Sequence, residues 1–204
     1  ELMRSLFGKN IGIFRGGTIK IHDREVKIDS VQDAIKNKIA YVPEDRKMLG
    51  LNLLDSIRKT TVSANLDEIK TRGLLDFDKE RAAAEKYRVS LKTKCSDVGV
   101  GVNTLSGGNQ QKVVLSKWMF TEPDILILDE PTRGIDVGAK YEIYKLIHKL
   151  ADQGKAIILV SSELPELLGM AYRIYTSFEV KITVEISEKE ANQEVLMKKM
   201  TITV

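Results

Sequence analysis

The chain has 204 residues, of which 43% are hydrophobic and 30% charged, a balance typical of a globular protein with a sizeable core. Its formal net charge of +3 is too small to indicate a nucleic-acid partner. No apolar run approaches the ~20 residues that span a bilayer, and the first residues lack a signal-peptide layout. The single cysteine, Cys95, excludes an internal disulfide and fits a reducing compartment. We therefore expect a cytoplasmic location, with any membrane contact made through a partner.

The N-terminal segment predicts a short helix followed by a small β-layer. Leu2, Met3, Leu6 and Phe7 form the apolar face of a helix that is expected to begin before residue 1. Residues 11–28 then alternate between apolar and polar side chains around polar turns. This pattern favours short antiparallel strands.

A short helix and a buried strand come next. Ser30 is suited to cap a helix over residues 31–37, and the apolar run Ile39–Val42 predicts a core strand. A charged segment containing Glu44 follows this strand. By itself, such a segment indicates only a solvated loop.

Residues 51–92 are helical in period and rich in lysine, arginine, glutamate and alanine, with Asp78 as a candidate helix cap. A second helical run covers residues 110–120. Ser106 is a suitable N-cap for it, and Gly107 and Gly108 are expected to let the backbone turn tightly before it. The free amides at such a helix start favour an anion, and phosphate is the natural occupant.

A strand with two acidic residues at its end follows this helix. Residues 125–128 are four apolar residues in a row, a pattern typical of a parallel strand that is covered on both faces. Asp129 and Glu130 come directly after them. Open α/β sheets bind their ligands at the carboxyl ends of their strands, so these two carboxylates are candidate site residues.

The remaining chain predicts alternating helices and strands. Helical spacing of apolar residues covers 137–152, and Ala156–Val160 predicts another buried strand. Residues 173–186 predict two closing strands, although Val180 stands where a hairpin glycine is usual. A final helix is expected over 187–200, started by a capping box of Ser187 and Glu190.

Three motifs in this order resemble a known family. The sequence LSGGNQQK at 105–112 resembles the signature motif of ABC-type ATPases, and ILILDE at 125–130 resembles their Walker B strand. RGIDVGAK at 133–140 resembles the D-loop that follows, and the spacing matches as well. Together with YVPEDRK at 41–47, the sequences of these motifs are similar to those in the second nucleotide-binding half of importers for ribose, galactose, xylose and related monosaccharides.

The resemblance implies an α/β fold with a P-loop NTPase-like (RecA-like) core, a small antiparallel β-layer and an inserted α-helical subdomain. The whole chain, 1–204, would then be one ABC-type nucleotide-binding domain. Residues 1–54 and 119–204 would form the core with its β-layer. Residues 55–118, including the signature helix, would form the helical subdomain.

The resemblance also implies roles for single residues. In the family, the residue matching Asp129 orients Mg²⁺ through water, and the one matching Glu130 polarises the water that attacks ATP. Asp136 would bridge to the other ATPase half. Glu44 stands where most ABC ATPases have a glutamine that touches metal and water, and Ser162 stands where they have a histidine that contacts the γ-phosphate.

The signature residues are expected to act on a partner's nucleotide, because ABC ATPases pair head to tail. Ser106, Gly107, Gly108, Asn109 and Gln110 would bind ATP that is held by the P-loop of a first ATPase half. No G-x-x-x-x-G-K-[ST] motif occurs among the 204 residues, and in the family the segment matching residues 1–8 directly follows the P-loop. The isolated chain is therefore expected to be inactive.

Further partners are implied by the family alone. They are transmembrane permease subunits, which the Glu44 loop and the helical subdomain would face, and indirectly a sugar-binding protein. The location would be peripheral, on the cytoplasmic face of the membrane. Two other functions stay open at this point: a regulatory or structural ABC module without catalysis, and the ATPase domain of a nucleoside importer.

Overall fold

The computed structural model describes residues 1–8, 16–178 and 181–201. The chain divides into two compact units, Glu1–Ile158 and Leu159–Val204. Within the described ranges, no helix is both long and apolar enough to cross a membrane. The division into a core and a helical subdomain that the sequence suggested stays a prediction.

Helices and strands alternate along both units. The helices are α1 (Leu2–Leu6), α2 (Val31–Lys36), α3 (Ile57–Val62), α4 (Phe77–Ser90), α5 (Gly107–Met119), α6 (Val137–Asp152), α7 (Leu164–Met170) and α8 (Gln193–Thr201). The strands are β1 (Ile19–Ile21), β2 (Arg24–Val26), β3 (Ile39–Val42), β4 (Lys70–Thr71), β5 (Leu74–Leu75), β6 (Ile125–Asp129), β7 (Ala156–Val160), β8 (Arg173–Phe178) and β9 (Lys181–Ser187). A π-helical turn covers Arg46–Gly50, and short 3₁₀ turns cover Leu66–Ile69 and Val102–Thr104.

The largest sheet of the described residues has three strands in the order β3-β6-β7. β3 and β6 are parallel, with Val42 opposite Leu128, and all four residues of β3 are buried as predicted. α5 packs against β3. The prediction that β7 is buried is wrong, since Ile158 is 38% exposed. Ala156 is exposed as well, whereas Ile157 between them is partly buried, so the side chains on one face of this part of β7 are left open.

The predicted antiparallel β-layer is confirmed where the structure describes it. β1 and β2 form a hairpin whose turn residues, His22 and Asp23, have φ of 49° and 60°. Such left-handed pairs suit the twist of a two-residue hairpin. The second strand ends at Val26 rather than reaching Ile28, and the first part of the expected layer, residues 11–15, lies outside the described residues.

The stretch predicted to be helical from 51 to 92 contains α3 and α4, with the small β4–β5 hairpin between them. Asp76, not Asp78, caps α4. Its Oδ1 accepts hydrogen bonds from the amides of Asp78 at 3.0 Å and Lys79 at 3.1 Å. Asp76 and Asp78 are equally suitable N-cap residues by type. Asp76 is the cap because it directly follows β5, which ends at Leu75, and the helix begins at the next residue.

In the smaller unit, β8 and β9 form an antiparallel ladder, as predicted, and α8 packs against it around Ile174, Ile186 and Leu196. Val180, the unusual hairpin residue, lies outside the described residues. The predicted start of the last helix is wrong. Ser187 still belongs to β9, where it pairs with Arg173, so its hydrogen bond to Glu190 closes a turn. The helix begins at Gln193, and Asn192 accepts from the amide of Val195 at 2.9 Å.

Candidate functional site

The start of α5 leaves its first amides without a side-chain cap. Ser106 has the extended backbone of an N-cap residue, but its hydroxyl caps no amide of the helix. The hydroxyl instead accepts a hydrogen bond from the side-chain amide of Asn109 at 3.0 Å. The expectation that the Ser106 side chain caps this helix is therefore wrong. Its hydroxyl oxygen accepts from the side-chain amide of Asn109 and not from a backbone amide of the first turn. An uncapped, exposed helix start is suited to an anion.

The side chains of Asn109 and Gln110 connect α5 to the residues before it. The Asn109 Oδ1 accepts from the amide of Lys94 at 2.8 Å. Gln110 is buried, and its Nε2 donates to the carbonyl of Val102 at 3.3 Å. Their contact with nucleotide stays a prediction, and these bonds favour a contact through the backbone of the first turn.

Gly107 and Gly108 do not form the tight turn that was expected before the helix. Both lie within α5, and neither has a left-handed φ. A Cβ on Gly108 would lie 2.6 Å from the Cβ of Ala139 in α6, and one on Gly107 would lie 2.8 Å from the Nη2 of Arg46. Close packing therefore requires glycine at position 108, whereas a side chain at position 107 would displace the Arg46 guanidinium.

An ion pair between a buried lysine and a half-exposed glutamate joins α5 to α6. Lys112 is 2% exposed, and its Nζ donates to the Oε2 of Glu142 at 2.6 Å and to the carbonyl of Lys92 at 3.0 Å. The hydrogen bond and the charge of Lys112 lower the pKa of Glu142. Together with the Gly108–Ala139 contact, this pair determines how the signature helix lies on α6.

Asp129 at the end of β6 is held by a neighbouring strand. Its Oδ2 accepts a hydrogen bond from the hydroxyl of Tyr41 at 2.7 Å. Burial, and then the bond to Asp129, raise the pKa of Tyr41 above its ordinary value. Phe7 supports the tyrosine ring, with ring centres 5.6 Å apart, and also contacts Trp118. Sequence reasoning missed Tyr41, since only the parallel register of β3 and β6 brings it to Asp129.

Glu130 has a strained backbone. Its φ of 46° lies in the left-handed region, which residues other than glycine seldom adopt. Strain of this kind is concentrated at functional sites, where the surrounding structure maintains it. Six other non-glycine residues of the described chain also have a positive φ, so the catalytic role of Glu130 stays a prediction.

The loop after β3 is joined to the residues of the D-loop motif. Glu44 forms an ion pair with Arg133. The guanidinium of Arg46 donates to the carbonyl of Arg133 at 2.8 Å and to that of Gly134 at 3.2 Å. These side chains line a surface depression of about 370 Å³ together with Asp45 and Lys47.

Asp136 caps α6, since its Oδ1 accepts from the amide of Ala139 at 2.9 Å. Ser162 lies in the smaller unit and is exposed. The two nucleotide roles expected of them, a bridge to the other half for Asp136 and a γ-phosphate contact for Ser162, stay predictions.

The described residues fit a magnesium ion that arrives with a nucleotide. They contain no group of three or more histidine, cysteine, aspartate or glutamate side chains that could hold a metal by themselves. Mg²⁺ usually keeps several waters and is bound by one or two carboxylates plus phosphate oxygens. Asp129, an aspartate at the carboxyl end of a central strand, supplies a donor of that kind.

Comparison with known proteins finds similarity to the ATP-binding proteins of ABC transporters. Residues 2–133 match the family model described as ABC transporter. The chain is 53% identical over 203 residues to the L-arabinose transport ATP-binding protein AraG of Geobacillus stearothermophilus, covering 100% of this chain and 40% of the relative. It is 50% identical over 198 residues to the xylose import ATP-binding protein XylG of Geobacillus kaustophilus, covering 97% and 39%.

A solved structure agrees in fold. The dimeric structure of MJ0796, a bacterial ABC transporter cassette, superposes with a TM-score of 0.69 at 21% identity, covering 85% of this chain and 74% of that one. The predicted α/β, P-loop NTPase-like fold class is thereby confirmed. The chain spans about 40% of the length of the curated relatives that it matches.

Proposed function

The chain belongs to the ABC transporter family, and on that premise we propose that it is the second nucleotide-binding domain of the ATPase subunit of a monosaccharide importer. The subunit couples ATP binding and hydrolysis to sugar uptake. It works with transmembrane permease subunits at the cytoplasmic face of the membrane, and a sugar-binding protein delivers the substrate. Relatives named for arabinose and xylose transport support this substrate class.

The observation that carries the proposal is the start of α5. Its first amides have no side-chain cap, Ser106 is exposed, and close packing of Gly107 and Gly108 fixes the helix from behind. In a head-to-tail pair, these amides donate to the γ-phosphate of ATP that is held by the P-loop of a first ATPase half. Such preorganised donors are the main contribution a protein makes to phosphoryl transfer.

The two carboxylates after β6 complete the chemistry. Asp129 would hold Mg²⁺, which neutralises phosphate charge when it is bound with ATP. Glu130 orients and polarises the attacking water. Glu44, in the place of the usual glutamine, is paired with Arg133, and Ser162 stands in the place of the usual histidine. We therefore infer that the site of this half is the weaker of the two and that its signature completes the stronger one.

Exposed apolar side chains in one segment of the chain support the permease as a partner. Met48 is 79% exposed, Leu49 is 53% exposed and Leu54 is 90% exposed, all in the segment between β3 and α3. Large apolar side chains exposed together often indicate a protein interface. This is the face that the importer would turn towards its membrane subunits.

A pair of substitutions at Ser106 tests the signature role. Ser106→Asp places a negative charge beside the incoming γ-phosphate, whereas Ser106→Asn adds a side chain of the same size without charge. Both residues are good N-caps, so both variants should fold. In the complete transporter, we expect Ser106→Asp to lower ATP turnover about 100-fold, the effect of losing one transition-state donor, and Ser106→Asn to lower it far less.

Glu130→Gln in the same transporter completes the test. It should leave most of the turnover, because the stronger site uses the Walker B residues of the other half. If Ser106→Asp retains full activity while Glu130→Gln abolishes it, this half's own site carries hydrolysis and the proposal of asymmetric sites is wrong. A regulatory module without catalysis would leave turnover unchanged in all three variants.

A further inference from the structure

Arg46 connects its own loop to two other segments that are distant in sequence. It lies in the loop after β3, and its two terminal nitrogens donate to the carbonyls of Arg133 and Gly134. Charge-assisted hydrogen bonds of this kind are among the stronger ones in proteins. The planar guanidinium suits this pair of neighbouring acceptors, which the single ammonium of a lysine cannot reproduce.

The third segment is the start of α5. A Cβ built on Gly107 would lie 2.8 Å from the Nη2 of Arg46 and 3.3 Å from the carbonyl oxygen of Gly134. The guanidinium therefore fills the space that any other residue at position 107 would need. The first turn of α5, the guanidinium and the carbonyl of Gly134 form one packed stack.

A second connection joins the same loop to the middle of α5. The Nζ of Lys117 donates to the carbonyl of Gly50 at 3.1 Å. A Cβ on Gly50 would lie 3.2 Å from a methyl group of Val114, so the π-helical turn 46–50 packs directly on the helix. The π-helical turn thus contacts α5 at both of its ends, Arg46 and Gly50.

The positive charge of Arg46 lies beside the start of α5. The start of a helix carries a partial positive charge, so a guanidinium beside Gly107 is unfavourable unless acceptors compensate it. The two carbonyls do so, and Glu44 adds an ion pair with Arg133 next to them. The Nε of Arg46 is buried and has no hydrogen-bond partner in the described part of the chain. This arrangement serves to hold backbone segments in place, since the terminal nitrogens are used on carbonyls.

We propose that Arg46 is a positioning residue: it locks the loop 43–50, the turn 133–134 and the start of α5 into one body, so that a displacement of the loop moves the signature amides and Asp136 together. The inference rests on the proposed function, in which this loop faces the permease. It assigns to one side chain the connection between that face and the two segments that meet the partner's nucleotide.

The first arm of the test needs no nucleotide. In the full-length ATPase subunit, hydrogen–deuterium exchange is measured on peptides covering residues 131–136, where the amides of Arg133 and Ile135 donate to carbonyls within the turn. Arg46→Lys keeps the charge but loses the paired donation. We expect exchange in this turn to accelerate about tenfold, the effect of losing one charge-assisted hydrogen bond.

Two further variants make this arm specific. Gly107→Ala displaces the guanidinium from the opposite side, so it should have the same effect, and the double variant should add nothing. Lys47→Arg is the matched control, because it makes the reverse exchange at an exposed neighbour that has no side-chain partner in the described structure. Unchanged exchange in Arg46→Lys would overturn the proposal.

The second arm measures ATP turnover in the complete transporter. Arg46→Lys should lower kcat about tenfold while KM for ATP stays within about twofold, because the partner's P-loop supplies most of the affinity. Faster exchange with unchanged kcat and KM would overturn the positioning role in the reaction. A transporter whose unaltered form hydrolyses no ATP would refute the proposed function, and the exchange arm would still decide whether Arg46 holds the three segments together.

Discussion

Replacing Gly108 by alanine should destabilise the protein, although alanine is the better helix former. The added Cβ would lie 2.6 Å from the Cβ of Ala139, a distance well inside van der Waals contact. Overpacking of this kind costs about 1 to 3 kcal/mol, against a helix-propensity gain of at most about 1 kcal/mol. Subtracting the full propensity gain leaves a net loss of about 0 to 2 kcal/mol in the free energy of unfolding.

A second substitution at the contact makes the test specific. Ala139→Gly removes the methyl group that the new Cβ would meet, at a cost of about 1 kcal/mol in α6 by itself. The double variant should return close to the stability of the unaltered chain, because one helix gains an alanine and the other loses one. The interaction energy of the double-mutant cycle should be about 1 to 3 kcal/mol.

Urea unfolding followed by the fluorescence of Trp118, the only tryptophan in the chain, measures these differences on α5 itself. Gly138→Ala is the control, since its Cβ would meet only the Oδ1 of Asp136 at 3.5 Å. It should stabilise the chain by about 0.5 to 1 kcal/mol. If Gly108→Ala stabilises the chain as Gly138→Ala does, α5 and α6 do not pack as described. ATP turnover of the transporter with both Gly108→Ala and Ala139→Gly then shows whether catalysis needs glycine at position 108 when folding does not.

Two predictions concern titrating groups. Because the pKa of Tyr41 is raised in the folded state, the unaltered chain should lose stability relative to Tyr41→Phe as pH rises above about 10. The midpoints of urea unfolding between about pH 9 and about pH 11 measure this loss. Midpoints that change equally with pH in the two proteins would contradict the prediction. Glu142→Gln should lower stability at pH 7 by up to about 1 kcal/mol, since the amide oxygen can still accept from the buried ammonium of Lys112 but the negative charge that pairs with it is lost from a half-exposed position. The pKa of Glu142 is lowered in the folded state, so this deficit should vanish as pH falls below about 4, and a deficit that persists there would refute the assignment.

The sequence by itself determined the elements whose apolar pattern is local. Ile39–Val42 and residues 125–128 are continuous apolar runs, and they became the adjacent parallel strands β3 and β6. The helical spacing over 137–152 predicted α6 with its actual bounds. The motif that places Asp129 and Glu130 after a buried strand was equally readable, because a strand and the residues that follow it are neighbours in the chain.

Local patterns were misleading where two candidates competed or where a neighbour from elsewhere intervened. Asp76 and Asp78 both look like caps, and Asn192 caps α8 in place of Ser187, which pairs in β9. Ser106 occupies an N-cap position, but its hydroxyl is taken by Asn109. A cap depends on the geometry of a few atoms, and the residue type alone leaves that geometry open.

Only the tertiary structure decided the contacts that build the site. Tyr41 meets Asp129 across 88 positions of sequence, Arg46 reaches the carbonyl of Gly134 across a similar distance, and Gly108 lies against Ala139. None of these pairs has a periodic signature, because each depends on strand register and on how closely two elements approach. Hydrophobic patterning specifies which face of an element is buried, whereas the neighbour that covers it is specified by close packing of the whole unit.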